Sequence, residues 1–516
     1  MKRITRFMMN ALVLGSTTIF MRIVAVFFNA YVSGKVGAEG MGLYSLITSV
    51  YMFAVTLASS GVNLAVTRLV SEELGKNNNK GALAAVKNCA GFALIFSTSA
   101  SVILFFGAEW IAGELLCDMR TFRSLRVLSI ALPFIALSSV FSGYFSAVRR
   151  VSKSASASIT EQFVKIFITV NLLLAIAPKG MEYACLALVI GTAVSEGLSF
   201  FYLFVFYLYD KRKHIRGDVG GRPKDIRKRM LSIVLPVALS SYLRSGLVTV
   251  EHILIPIGLR KHGADSSTAL ASYGVIHGMV FPLILFPSAV TSTFAGLIVP
   301  ELSELAARYK NVKGHPHICY IVGRALTFAL LFGIGVGGIF LFFAEPLGML
   351  VYGNEEAIRY IRIFAVLIPV MYLDTTVDGM LKGLGQQFHS MVYNVIDASM
   401  SVFLVWTLLP KVGIIGYVIC VFITELVNLS FSISRLIAVT GVRPKIVRAV
   451  ALPILCIVGA TTAVSLLLHT LPTFALLPST IFGIALCLLV YIGLLRITSG
   501  LSKEDTAWLR GIFQKT

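Results

Sequence analysis

Charge is scarce in this chain: Asp, Glu, Lys and Arg make up 14% of its 516 residues. Soluble globular domains carry about 25%, so an ordinary soluble enzyme is excluded. Metal chemistry lacks its usual frame. Seven cysteines are present, but there is no CxxC pair and no Cys/His cluster at ligand spacing, which argues against zinc and against a disulfide framework. Without a Walker loop there is no direct ATP drive. No Ser or Cys stands in a nucleophile elbow. Five of the cysteines (Cys89, Cys185, Cys420, Cys456 and Cys487) lie inside apolar runs.

What the chain has instead is apolar length. Hydrophobic residues make up 57% and the mean hydropathy is +0.84. The runs are long and unbroken, as α-helical spans require; a transmembrane barrel would alternate over about ten residues. Fourteen helices of about 22 residues would fill about 60% of the chain. The candidate spans are 8–33, 40–70, 83–107, 124–147, 155–177, 183–208, 231–259, 269–300, 319–343, 358–384, 389–410, 414–438, 449–470 and 475–496. No loop is large enough for the extracytoplasmic domain of a membrane glycosyltransferase. Lys2, Arg3 and Arg6 precede the first run as in a signal peptide, but the run exceeds a signal core, so it reads as a retained helix.

The formal charge is +20, which in a soluble chain would point to nucleic acid. Here it sorts by side. Alternate loops hold about 27 Lys and Arg against about 7, which places the chain in the cell membrane with both termini cytoplasmic and leaves no call for a nucleic-acid partner. The stretch 211–230 carries Lys211, Arg212, Lys213, Arg216, Arg222, Lys224, Arg227, Lys228 and Arg229 among three glycines. It reads as a basic linker lying on an anionic leaflet.

The linker separates two halves that repeat. Arg123, Arg126, Pro133 and Gly143 return as Arg359, Arg362, Pro369 and Gly379, and Glu161 as Asp397, at one common offset. The stretch from Val66 to Lys80 parallels that from Val299 to Lys313, and Ser195-Glu196 parallels Thr424-Glu425. Arg22 and Asn29 match Arg244 and Glu251. Several matches in order mark a duplication of six spans, related by an axis along the membrane normal. The expected organisation is an N-lobe (1–210), the linker (211–230), a C-lobe (231–440) and a pair of spans outside the repeat (441–516). Two-lobed chains of this kind move substrate by alternating access. A short amphipathic helix, with Trp508, Leu509, Ile512 and Phe513 on one side, reads as interfacial.

Ionisable groups inside spans cost about 2.5–3.5 kcal/mol each on insertion scales, so each needs a reason. Arg22 has no acid within a helical turn. With Asn29 it lies on one face two turns apart, and Arg244 and Glu251 repeat that spacing. Two arginines at matching depth would clamp a phosphate through bidentate donors; snorkelling, or pairing within each lobe, is the other reading. Lys165 follows Glu161 by four residues, a pairing distance. Asp374, Asp378 and Lys382 step along one stripe, where the acids serve an ion or Asp378 pairs with Lys382. His277 stands alone near the midplane as a core hydrogen-bonder or a switch. The second half is richer in acid, with Glu251, Asp374, Asp378, Asp397 and Glu425, and Asn394 one turn before Asp397. Such oxygens suit Na⁺ or H⁺ coupling, grouped on the seventh, eleventh and twelfth spans. No other cofactor is expected.

Met21-Arg22-Ile23-Val24, Asn29, Val36-Gly37-Ala38-Glu39-Gly40, Gly42-Leu43-Tyr44, Gly61 and Leu64-Ala65-Val66-Thr67-Arg68-Leu69-Val70 closely resemble the start of the stage V sporulation protein B family. The length and the repeat agree across the chain. That family falls in the multidrug/oligosaccharidyl-lipid/polysaccharide flippase superfamily. The resemblance implies an all-α transporter of about fourteen spans, not an enzyme. Its substrate would be an undecaprenyl-pyrophosphate-linked saccharide, a peptidoglycan precursor or another envelope unit, with membrane lipids and envelope-synthesis enzymes as partners. It makes Arg22 the cavity arginine of the first helix. The lipid II flippases carry further arginines where this chain has Phe28 and His277. In that superfamily the last two helices form a groove for the lipid tail. A cation-coupled multidrug exporter is the rival within the same architecture, and a mid-span Arg22 argues against a cavity built for cations.

Overall fold

The computed structural model describes residues 2–214, 221, 225–309, 312–442, 447–470, 476–498 and 500–501, with side chains from Gly15 onward. Most of the basic linker's central residues and the amphipathic segment 502–513 lie outside the described residues. Regular structure among those described is helical throughout. Helices α1 (Lys2–Ser59), α2 (Val62–Gly75), α3 (Asn79–Trp110), α4 (Phe122–Ala147), α5 (Val151–Ile176) and α6 (Met181–His214) make up the first half. The second half holds α7 (Ile226–His262), α8 (Ser266–Tyr273), α9 (Phe281–Leu285), α10 (Ser288–Arg308), α11 (Pro316–Phe342), α12 (Ala344–Val351), α13 (Glu355–Ala365), α14 (Ile368–Gly383), α15 (Gln387–Val412) and α16 (Ile414–Thr440), followed by α17 (Leu452–Thr470) and α18 (Leu476–Ile497).

Among the described residues twelve helical stretches are long and apolar enough to cross a membrane, or thirteen counting α13 and α14 as one bent span. One of them, Gly15–Gly75, has 61 residues, about 90 Å of helix, three times the hydrocarbon thickness. It therefore holds two spans. The joint is Gly37, where φ is 69°; only glycine enters that region without steric cost. With that division the count reaches the fourteen spans read from the sequence.

Two spans that the hydropathy pattern draws as continuous are broken. The stretch 269–300 becomes α8, a π-helical turn Gly274–Val280, α9 and α10, with the turn at Phe286-Pro287. The stretch 358–384 bends by 57° between α13 and α14, just before Pro369. Proline removes a donor and frees the carbonyl four residues earlier, and such carbonyls must find partners where water is absent. Asn29 donates to the Gly278 carbonyl, freed by Pro282, at 2.6 Å. Ser101 likewise donates to the Ser129 carbonyl, freed by Pro133, at 2.6 Å.

The chain forms two compact units, and they cut across the repeat. Unit one comprises Met1–Gly34, Val275–Ser401 and Ile415–Thr516. Its cores gather α10, α11, α14 and α16, and α11 with α17 and α18. The last pair docks on a glycine stripe of α11: Gly338 faces Ile457, Gly335 faces Tyr491, and Tyr491 donates to the Leu331 carbonyl at 2.8 Å. Unit two comprises Lys35–Gly274 and Val402–Ile414. Here α7 is fastened to the second segment of α1 by Tyr242 to the Leu57 carbonyl (3.1 Å), Ser245 to Thr56 Oγ1 (3.1 Å) and Thr249 to the Ser49 carbonyl (3.2 Å). The repeat-related starts of the two halves are thus exchanged: the first segment of α1 packs with second-half helices, and α7 with first-half helices.

Within unit two, α1 and α8 approach backbone to backbone. A Cβ on Gly42 would run into the Leu270 carbonyl oxygen, and one on Gly274 into that of Ala38. Neither atom is a flexible side-chain end. Gly42→Val should therefore lower stability by about 1–3 kcal/mol, read as a depressed melting temperature in detergent; an unchanged melting point would mean the helices can separate freely.

Candidate functional site

In unit one the break between α9 and α10 builds the setting of Arg22. The Leu285 carbonyl at the end of α9 receives the Ser288 hydroxyl at 2.6 Å and Arg22 Nη1 at 3.2 Å. Ser288 Oγ also lies 3.4 Å from Nη1. Tyr372 of α14 closes the same break, donating to the Ile284 carbonyl at 2.6 Å. Among the described residues Arg22 makes no ion pair, and Nε and Nη2 have no acceptor. The side chain is exposed. A guanidinium carries five donors in a planar fork, so most of this one remains available. Arg22 is held in place by a single nitrogen.

The other first-helix residue is spent on structure: the Asn29 amide covers the Gly278 carbonyl. His277, within the π-helical turn, shares a 2.7 Å hydrogen bond between Nε2 and the Tyr417 hydroxyl, with the Phe281 ring edge-on beside it.

The acids of unit one are drawn into pairs. Asp374 Oδ2 receives the Asn428 amide of α16 at 3.1 Å. Asn428 is buried, and its own Oδ1 has no hydrogen-bond partner, which leaves a hard oxygen ligand beside a carboxylate. Asp378 accepts from Ser390 of α15 and pairs with Lys382 at 2.5 Å, so the stripe on α14 resolves into one salt-bridged acid and one acid facing an amide. The Asn394 amide returns to the Ser390 carbonyl of its own helix at 2.8 Å. Asp397 and Glu425 are half-buried on α15 and α16.

Unit two holds Arg244, Glu251 and Lys165. Glu251 therefore does not belong to the compact unit of the other second-half acids, because Tyr242, Ser245 and Thr249 fix its helix elsewhere. Arg244 is exposed and makes no hydrogen bond or ion pair among the described residues. Exposed Leu235, Leu239 and Leu243 step along a different face of the same helix. Lys165 and Glu161 share a face, as their spacing requires, but no ion pair closes between them among the described residues. Buried Glu196 accepts a hydrogen bond from the buried Tyr51 hydroxyl. Next to Glu251, His252 Nδ1 lies 2.7 Å from the Tyr273 hydroxyl.

Sequence reading finds the charged members but not their partners: Ser288, Tyr372, Asn428, Tyr417 and Tyr51 are ordinary residues until helices bring them together. Pro287 is the signal that could have located the Arg22 setting, since it follows the end of α9, whose last carbonyls, Ile284 and Leu285, need donors from elsewhere.

Residues 7–305 match the polysaccharide biosynthesis protein family, more than half of the chain. Stage V sporulation protein B of Bacillus subtilis (strain 168) is 27% identical over 80% of this chain and 79% of its own length. A probable multidrug resistance protein NorM of Thermotoga maritima is 20% identical over 70% of this chain and 75% of its own. Among solved structures, lipid II flippase MurJ in an inward closed conformation superposes with a TM-score of 0.69, at 15% identity, covering 94% of this chain and 98% of that one. An inward-facing multidrug resistance MATE family transporter gives 0.64, at 17% identity, with coverages of 84% and 99%. Apolar helices, a broken-helix architecture and these likenesses converge: the chain is a multi-pass membrane protein of the polysaccharide biosynthesis protein family.

Proposed function

We propose that the chain translocates an undecaprenyl-pyrophosphate-linked saccharide, a peptidoglycan precursor or another envelope unit, from the cytoplasmic to the outer leaflet by alternating access. Arg22 carries the reading. It lies in a membrane span without a carboxylate partner, anchored through one nitrogen, with the rest of its fork open to a bidentate oxyanion. Of the other candidate substrate contacts, His277 belongs to the same compact unit, and Arg244, equally unpaired at the repeat-related position, and Lys165 belong to the second. Asn29 supports the site by holding the π-helical turn, and Glu251 bonds saccharide hydroxyls. Those hydroxyls cannot cross hydrocarbon bare, at several kcal/mol for each lost hydrogen bond. The polyprenyl tail stays in lipid along α17 and α18, where Leu455, Leu466, Ile481 and Leu489 are exposed.

Drive comes from Na⁺ or H⁺ at Asp374 and Asn428, with Asp378, Asn394, Asp397 and Glu425 on the flanking helices. Both termini face the cytoplasm, and envelope-synthesis enzymes supply and receive the substrate. The test is reconstitution in liposomes with fluorescent lipid-linked saccharides, following leaflet transfer with and without ion gradients. Transfer should require the pyrophosphate. Movement of organic cations without movement of pyrophosphate lipids would give the site to a multidrug exporter instead.

A further inference from the structure

At the end of α2 nearest the basic linker, a charge cluster ties the first half of the chain to the second. Arg229, in the first turn of α7, forks across two adjacent acids of α2: Nη2 reaches Glu72 at 2.5 Å and Nη1 reaches Glu73 at 2.7 Å. Arg227 adds a 3.2 Å bond to Asn88 of α3. All of this lies within unit two. The repeat has no counterpart, because Glu72 and Glu73 fall on Leu305 and Ala306 in the matching stretch.

The cluster is arranged so that Arg229 can leave cheaply. Glu72 is also held by Arg68 of its own helix at 2.9 Å. Glu73, only 2% exposed, is also held by Asn78 at 2.7 Å and by Lys76 at 3.7 Å. Breaking a buried pair is normally expensive because a charge is stranded. Here each acid keeps a partner when Arg229 departs, and Arg229 is itself partly exposed, so it regains water. The cluster around Asp210 is built differently: Arg150, Lys153 and Tyr144, which hold it among the described residues, belong to the first half.

We infer that the Arg229–Glu72–Glu73 fork is an ionic lock on the cytoplasmic end of the α2–α7 seam, which opens to admit the anionic head of the lipid substrate. The inference rests on the alternating-access reading above, but its test does not need the substrate. Cys117 and Cys319, which are not buried, are replaced by Ser. Val234→Cys then places a buried reporter further along the same seam, facing Gly61 at the start of α2. Its labelling by a membrane-impermeant maleimide is followed from the cytoplasmic side in inverted vesicles.

Arg229→Gln should raise the labelling rate about fivefold, the population change expected for a partly exposed pair. The double variant Glu72→Gln/Glu73→Gln should do the same from the other side of the seam, and Arg229→Lys should recover part of the protection. Unchanged labelling in both neutral variants would overturn the lock. So would a rise in Arg229→Gln alone, which marks local damage to α7. A lock that opens as described in a chain that moves no pyrophosphate lipid would leave the lock standing and remove the substrate assignment.

Discussion

Arg22→Gln should reduce transfer of a pyrophosphate-linked saccharide by about a hundredfold, within the ~2–5 kcal/mol lost when one partner of a desolvated charge pair is removed. The fold should survive. Arg22 lends the protein a single nitrogen, and a glutamine amide can still donate toward the Leu285 carbonyl while Ser288 keeps its own 2.6 Å bond there. Arg22→Lys separates charge from shape: an ammonium preserves the positive charge but cannot present two parallel donors, so its activity should fall between the two. The measurement is initial rate against substrate density in liposomes, with melting temperature as the control for folding. Wild-type rates in Arg22→Gln would make the guanidinium a helix-break cap and nothing more.

Asp374→Asn should shift the dependence of transport on the driving cation to much higher concentration. The carboxylate faces the Asn428 amide, and the buried Asn428 carbonyl oxygen is a second ligand next to it. Neutralising Asp374 leaves two amides that hold a cation weakly, so the half-saturating Na⁺ or H⁺ concentration should rise at least tenfold, ~1.4 kcal/mol. Asp378→Asn is the informative comparison. Its carboxylate is already committed to Lys382 and Ser390, so it should leave the cation requirement in place. Equal sensitivity of the two variants, or none in either across Na⁺ concentration and pH, would remove the coupling role from α14.

Spans were legible from sequence because hydrocarbon imposes one length and one hydropathy on every crossing helix. The chain's all-helical class and its number of crossings followed from that alone. Breaks inside spans were harder. Pro282, Pro287 and Pro369 were visible, but a proline can sit within a continuous helix, as Pro133 does in α4 with Ser101 covering the freed carbonyl. Whether a helix bends depends on which donor a neighbouring helix offers, and that is a tertiary fact. The same limit applied to charge. The Asp378–Lys382 pair is local to one helix and could be read from a four-residue step, whereas the Glu161–Lys165 step, of the same spacing, closes no ion pair among the described residues. Asn428 and Tyr372 carried no signal, since neither residue type is unusual in an apolar span. The repeat was legible, yet it concealed the exchange of its own leading helices, because sequence similarity records descent and not packing.

That exchange has a consequence for biogenesis. The opening segment of α1 leaves the ribosome first, but the residues it packs against begin at Val275, so it must wait in the bilayer through the synthesis of roughly half the polypeptide. During that interval Arg22 lacks the Leu285 carbonyl and Asn29 lacks Gly278, and insertion of the first span has to tolerate both polar groups unsatisfied. A chain severed between His214 and Asp225 would yield two fragments, neither holding all the parts of either compact unit. Each fragment made alone should be degraded, while the two made together in one cell should assemble.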